Sequence, residues 1–567
     1  MASQTNKNLL FLFGFLVITA ISVAGESKPN KNTTLSASSK AVVRSSCSST
    51  PLPDLCYFAV ASIAGQNITS QKDVIKALLD VTAYAVKESY STVKGLLITG
   101  IGLSPRANTA VNDCVENIEV TLEDLQGAAA KLLSYPNGGT GRNHAGDLKT
   151  LVSSAITNQE SCLEGFSYDI ADMVIRSIIY TGEVYIQRLC GIALALIKNM
   201  TDTDIANSRP KARPFNKRKL EEATMAAATD KDGWPCWLSA DDRRLLQSKS
   251  VQPNVVVAAD GTGDFTTVGE AVEAAPKKRT ERYVIKIKAG VYRENVNVPS
   301  NKMNLMFVGD GRTKTFITGD RSVGGNEDMT TFRSATVAAV GEGFMARDIT
   351  FENTAGPSND QAVALRVGSD KSAFYRCNIS AYQDTLYVHS KRQFFVKCHV
   401  SGTVDFIFGN AAVVFQDCDI HARRPNPEQR NMVTAQGRTD PNQNTGIVIQ
   451  NCRIGATLDL REAEDDFPTY LGRPWKRFSR TVVMQSDISD VIRPEGWHLW
   501  NGNFALDTLI YREYANRGPG ANTEFRVNWK GFEVITDPEE AEEYTADRFI
   551  DGADWLSETG FPFNLAL

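Results

Sequence analysis

The sequence lacks most of the short signatures by which hydrolases announce themselves. It has no G-x-S-x-G elbow, which disfavours an α/β-hydrolase serine nucleophile, and no H-E-x-x-H pair to hold a catalytic zinc. No two of its ten cysteines form a C-x-x-C pair, which argues against a zinc ribbon or thioredoxin-like site. Histidine is scarce at five. His389 and His399 fall in a strand-rich stretch where either could serve as a general base, but His421 and His498 show no linked Ser–Asp pattern. The net charge of −5 gives no support to nucleic-acid binding. After the first 25 residues no run is apolar enough to span a membrane.

What is present divides by period. Lys7 precedes an apolar run from Leu9 to Gly25 with small residues at Ser22-Val23-Ala24, the pattern of a secretory signal peptide over residues 1–25, a signal anchor being the alternative. The 567 residues exceed one ordinary core. From Val42 to Met200 apolar residues recur every three and four positions: Val111, Cys114, Val115, Ile118, Leu122 and Leu125, then Leu148, Leu151, Val152, Ala155, Ile156, Cys162, Leu163 and Phe166. These predict amphipathic helices of an all-α bundle over 41–200. Cys114 and Cys162 lie on those stripes and could bridge two helices; Cys47 and Cys56 could close a short loop. Residues 201–249 lose the period and carry Lys217-Arg218-Lys219 and Arg243-Arg244, a linker that is either a solvated connection or a processing segment. Sequons stand at Asn32, Asn67, Asn199 and Asn378; the first three suit a surface glycan, whereas Asn378 sits in a strand-like run.

From Val251 the texture becomes short runs of Val, Ile, Thr and Phe between Gly, Asn and Asp, the mark of many short strands. Polar landmarks recur in it: Gln361 to Gln383 is 22 residues, Asp384 to Asp405 is 21, and Cys377 to Cys398 is 21. Such a period predicts a solenoid of parallel β coils over 250–567, and a β-sandwich, the competing fold, has no reason to repeat polar residues at this interval. With coils about 4.8 Å apart, Asp384 and Asp405 become neighbours and Gln361 and Gln383 stack beside them. Cys377 with Cys398, and Cys418 with Cys452, are expected to bridge adjacent coils. Two close carboxylates do not both ionise easily. The ionised one can attack a carbonyl, the protonated one can protonate a leaving alkoxide, and glutamine N–H groups can donate to the oxyanion. This is an apparatus for acyl transfer without Ser, Cys, metal or cofactor. Singly, each of these residues reads more readily as part of a structural polar ladder; together and in register they read as a site.

Five motifs appear in order: Gly290-Val-Tyr-Arg-Glu294, Gln361-Ala-Val-Ala-Leu365, Gln383-Asp-Thr-Leu386, Asp405-Phe-Ile-Phe-Gly409 and Leu471-Gly-Arg-Pro-Trp475. Together they closely resemble the signature set of plant-type pectin methylesterases, over Pro253 to Pro562. The resemblance implies a right-handed parallel β-helix with an open carbohydrate groove, acting on methyl-esterified homogalacturonan in the cell wall. It assigns Asp405 as nucleophile, Asp384 as general acid and then base, and Gln383 as oxyanion donor. Gln361 and Thr331 become substrate contacts, Arg473 the partner of Asp405, and Trp475 a groove wall. Cys47-Ser-Ser-Thr-Pro-Leu-Pro-Asp-Leu-Cys56 and Thr157-Asn-Gln-Glu-Ser-Cys162 resemble the invertase and pectin methylesterase inhibitor family, which implies a four-helix bundle with bridges Cys47–Cys56 and Cys114–Cys162 and leaves Cys190 over. Leu52 stands where that family often has Tyr. Arg243-Arg244-Leu245-Leu246 resembles the basic site at which a subtilisin-like protease separates the two parts, with Arg218-Lys219-Leu220 a second candidate, and proteinaceous inhibitors are further expected partners. The rivals are a polygalacturonase or pectate lyase, which need acid pairs spaced for glycosidic attack or a calcium cluster, and a non-enzymatic wall protein acting through the helical part.

Overall fold

The computed structural model describes residues 35–63, 67–100, 102–136, 141–166, 170–208 and 252–567. The leader, Asn32, and the basic sites at Arg218–Leu220 and Arg243–Leu246 lie outside them.

The helical pattern becomes six helices: α1 Ala37–Cys47, α2 Pro53–Ser62, α3 Gln71–Thr99, α4 Pro105–Ser134, α5 Gly141–Glu164 and α6 Ile170–Ser208. Their ends follow capping chemistry. Ser70 and Asp73 form a capping box at the start of α3, Gly100 ends it at φ 59°, and Ser104 caps α4 with Pro105 in its first turn. The disulfide Cys47–Cys56 ties α1 to α2, and Cys114–Cys162 ties α4 to α5. The predicted stripe of α4 is buried, Leu122 only partly, in a cluster drawn entirely from residues 35–200. Cys190 is a buried free thiol in that core.

One carboxyl in the bundle is out of place. Glu183 on α6 is fully buried; its Oε1 accepts from Ser89 Oγ of α3 at 2.5 Å, and its Oε2 has no partner among the described residues. Burial pushes it up from 4.5 to about 7, with the Ser89 hydroxyl opposing. The folded state therefore binds this proton more tightly than the unfolded chain. The associated stability is full below pH 4.5 and is lost as pH rises to about 7, amounting to about 3 kcal/mol. Thermal unfolding of the full chain followed by helix ellipticity is expected to show that fall, and Glu183→Gln to flatten it.

The strand-rich region winds into stacked coils. Its strands form three parallel sheets of eleven, eight and seven strands, and each strand pairs with its equivalents one coil away. The seven-stranded sheet carries the candidate site: β1 Val296–Val298, β2 Val337–Ala339, β3 Leu365–Val367, β4 Leu386–Val388, β5 Ile407–Gly409, β6 Asn431–Gln436 and β7 Thr469–Pro474. Its register runs Leu365, Leu386, Ile407, Thr434, Gly472 across five coils. Inside, identical positions stack like on like: the rings of Phe374, Phe395 and Phe415 lie 4.5 and 4.8 Å apart.

Cys377, Cys398, Cys418 and Cys452 stack in the same way, one per coil, but all four are buried free thiols, against the expected bridges. The reason lies in the register. Side chains at equivalent positions of parallel strands run side by side at the interstrand spacing of about 4.8 Å, beyond the Cβ separation of about 3.8 Å that a disulfide needs. Each sulfur faces backbone carbonyls instead, Cys398 that of Phe374 at 3.4 Å and Cys418 that of Gln416 at 3.4 Å.

Candidate active site

Asp384 and Asp405 stand just before β4 and β5, and the amide of Asp384 donates to the carbonyl of Val404 across the coil gap at 3.0 Å. Both have left-handed backbones, φ 60° and 51°, a conformation that aspartate tolerates better than most residues. Gln361 and Gln383 lie on the same edge, where Ala362 N donates to the Gln383 carbonyl at 3.2 Å. Among the described residues neither glutamine side-chain amide is engaged in a hydrogen bond, so both remain open to a ligand.

Arg473 reaches from β7 over β6 to Asp405. Its Nε and Nη2 donate to the two carboxylate oxygens at 2.8 and 2.7 Å, a bidentate pair. The guanidinium also lies 4.3 Å from the ring of Trp500, which fixes its plane. Asp384 has no such cation of its own. Burial first, and then the charge of Asp405, push its carboxyl well above the usual range. Burial also raises Asp405, but the two Arg473 hydrogen bonds and the guanidinium charge pull it back, so Asp405 is the more acidic of the two. The pair is thus divided into one carboxylate and one carboxylic acid. Removing the cation as Arg473→Gln is expected to raise Asp405, which loses both hydrogen bonds and the charge, and Asp384 by less, since it loses the charge alone; a pH–rate profile should shift upward on both limbs, the acidic one by about one to two pH units.

The remaining predicted residues are near but not equivalent. Trp475 follows β7 and packs on an apolar floor made by Phe332, Tyr387 and Phe408. Thr331 is half-buried with its carbonyl turned inward to Ser334 Oγ; its neighbour Thr330 is the buried one, held by Asp113 of α4. Glu294 of the first motif serves a structural end, accepting from Val268 and Gly269 at 2.8 Å at a helix start. His399 is on another sheet, its Nδ1–H donating to Asn378 Oδ1, and is held down to about 4 by burial. Asn378 is accordingly half-buried and engaged, whereas Asn67 and Asn199 are exposed. The aromatic floor escaped sequence analysis although the signal was there: Tyr387 and Phe408 each lie three residues beyond an Asp of the pair, and their rings stack at 4.2 Å.

The helical domain lies over this face. Thr157 Oγ1 accepts from Asn410 Nδ2 at 2.9 Å, and Ser161 Oγ meets His389 Nε2 at 2.8 Å and the Tyr387 hydroxyl at 3.3 Å. In the same motif Gln159 turns inward to Thr121 of α4. Asp113 and Glu116 of α4 pair with Arg333, Glu116 also with Arg366, Asp124 with Lys391, and Glu160 and Glu164 of α5 with Lys476. Beneath this cover Asp384 and Asp405 are only 8% and 7% exposed.

A parallel β-helix with a polar site on one sheet and a separate helical bundle laid over it is the architecture of a two-domain carbohydrate-active enzyme. Residues 254–553 match the family described as Pectinesterase, and residues 41–196 match Plant invertase/pectin methylesterase inhibitor. The chain is 60% identical over 580 residues to pectinesterase/pectinesterase inhibitor 3 of Arabidopsis thaliana, covering 100% of this chain and 98% of that one. It is 59% identical over 554 residues to pectinesterase/pectinesterase inhibitor U1 of Solanum lycopersicum, covering 96% and 94%. The solved pectin methylesterase from carrot is 68% identical, covers 57% of this chain and all of that one, and superposes with a TM-score of 0.56. The chain belongs to the plant pectinesterase family whose members carry an N-terminal inhibitor domain, and it is a pectinesterase.

Proposed function

We propose that the enzyme hydrolyses galacturonate methyl esters through Asp405 and that its helical domain holds it inactive until removed. The supporting observation is the division of the acid pair, with Arg473 bound to both oxygens of Asp405 and Asp384 left buried beside it. Asp405 attacks the ester carbonyl carbon. Gln383, with Gln361 assisting, donates to the resulting oxyanion. As the C–OCH3 bond breaks, Asp384 gives its proton to the methoxide, and methanol leaves an acyl–Asp405 anhydride. Asp384, now ionised, takes a proton from water, whose oxygen attacks the same carbon. Asp405 departs as carboxylate, and the sugar keeps a free carboxyl group. Thr331 and Trp475 contact the polymer. No step calls on a metal or cofactor.

The cover formed by α4 and α5 supports autoinhibition, and a subtilisin-like protease acting at Arg243-Arg244-Leu245-Leu246 would release it after secretion to the wall. Glycans at Asn32, Asn67 and Asn199 fit that route. The test is release of methanol against reducing ends from esterified homogalacturonan. Methanol without new reducing ends supports the esterase reading; new reducing ends would indicate backbone cleavage instead.

A further inference from the structure

Four cations border the groove with no carboxylate of their own domain at ion-pair distance among the described residues. Arg333 precedes β2, Arg366 lies on β3, Lys391 follows β4 and Lys476 follows β7. Among the described residues, every carboxylate within ion-pair distance of them belongs to the helical domain. Two cations of the same face differ. Arg473 has Asp405, and Arg392 keeps Asp370 and Asp551 at 2.6 and 3.0 Å in addition to Asp147 of α5. Two of the four cations also stand against the aromatic floor. The Arg366 guanidinium lies 3.4 Å from the centroid of Phe332, and Lys476 Nζ lies 5.0 Å from that of Trp475. When the helical domain leaves, these four positive charges remain around the floor with no ion-pair partner among the described residues of the β-helix, Lys391 alone keeping the longer-range charges of Asp370 and Glu342.

We propose that Arg333, Arg366, Lys391 and Lys476 form a binding site for free uronate carboxylates of the polymer, flanking the ester under attack. The inference rests on the esterase reading for the identity of the polymer. Its physical content is separate: the carboxylates of Asp113, Glu116, Asp124, Glu160 and Glu164 occupy places that carboxylates of de-esterified sugars take in the released enzyme. An aromatic floor accepts sugar faces whatever their ester state, whereas ammonium and guanidinium groups distinguish a carboxylate from its methyl ester. The domain's cover thus works by presenting the same chemical group as the ligand.

The β-helix can be studied alone, since its hydrophobic clusters contain no helical-domain residue and the carrot structure corresponds to this part only. The experiment uses residues 252–567 carrying Asp405→Asn, so that nothing is turned over. Binding of fully de-esterified and fully methylated galacturonate oligomers of equal length is measured by calorimetry at two salt concentrations. The de-esterified oligomer is expected to bind more tightly and to weaken with salt. Lys391→Gln with Lys476→Gln should cost it about tenfold, with little change for the methylated oligomer. Lys530→Gln, at an exposed position away from the groove, is the control. Thermal midpoints equal to the parent's show that the variants fold, as expected when the lost partners sit in an absent domain. Equal binding of the de-esterified oligomer by parent and double variant would overturn the proposal, as would equal binding of polyglutamate, which would reduce the site to a general positive field. A parent segment with Asp405 intact that released no methanol would sink the esterase reading without touching this binding result.

Discussion

Asp405→Asn is expected to lower methanol release by roughly 10⁴-fold while leaving the fold and polymer binding in place. The loss is large because an amide oxygen has neither the charge nor the basicity to attack an ester. The fold survives because Asn is the same size and accepts the left-handed backbone that position 405 requires, φ 51°. Arg473 keeps one acceptor, the amide oxygen, and its stack on Trp500. Gas-chromatographic methanol assay together with retention on an immobilised galacturonate oligomer separates chemistry from binding. Turnover within tenfold of the parent would show that position 405 does not carry the covalent step.

Separating the helical domain is expected to raise activity by roughly a hundredfold or more. A tethered domain is present at an effective concentration on the order of millimolar, so micromolar intrinsic affinity leaves about one groove in a thousand open. The contact can be weakened without cutting the chain. Asp113 is buried and accepts from Thr330 Oγ1 and from Arg333 Nε at 2.8 Å; removing one member of such a desolvated pair costs about 2–5 kcal/mol. Asp113→Ala with Glu116→Ala in the intact chain should therefore recover much of the activity of the cleaved enzyme. Methanol release by intact, cleaved and doubly substituted protein, measured side by side, tests it. An intact chain as active as the cleaved one would remove autoinhibition. Arg243→Ala with Arg244→Ala supplies the uncleaved reference.

The coils and the pairing of Asp384 with Asp405 were legible because a solenoid writes its geometry as a linear period: 21 residues along the chain become one interstrand step in space. The helices were legible from their apolar stripes. The interface was not, and α4 shows why. Asp113 and Asp124 lie on its polar side, which amphipathic patterning assigns to water, yet both are buried against Arg333 and Lys391 of the coils. Thr150, Ser153, Thr157 and Ser161 are likewise buried on α5. A face that buries itself by hydrogen bonds and ion pairs has the composition of a solvated face, so periodicity alone cannot tell the two apart. The thiol ladder misled for the opposite reason. Spacing brought the cysteines together correctly, but proximity along a stack fixes parallel side chains, and a disulfide needs converging ones.

The two halves keep their oils apart: the apolar cluster of the bundle contains no residue beyond 200, and those of the coils none before 255. What joins them is wettable on both sides. A cut in the connecting chain would therefore divide no apolar core; it would bare on the coils only the aromatic floor around Tyr387 and Phe408, ringed by cations. Charge would then divide with the chain: the coil face would keep Arg333, Arg366, Lys391 and Lys476, and the bundle would carry off Asp113, Glu116, Asp124, Glu160 and Glu164, so that in a field of polyanions the two halves would be pulled in opposite senses.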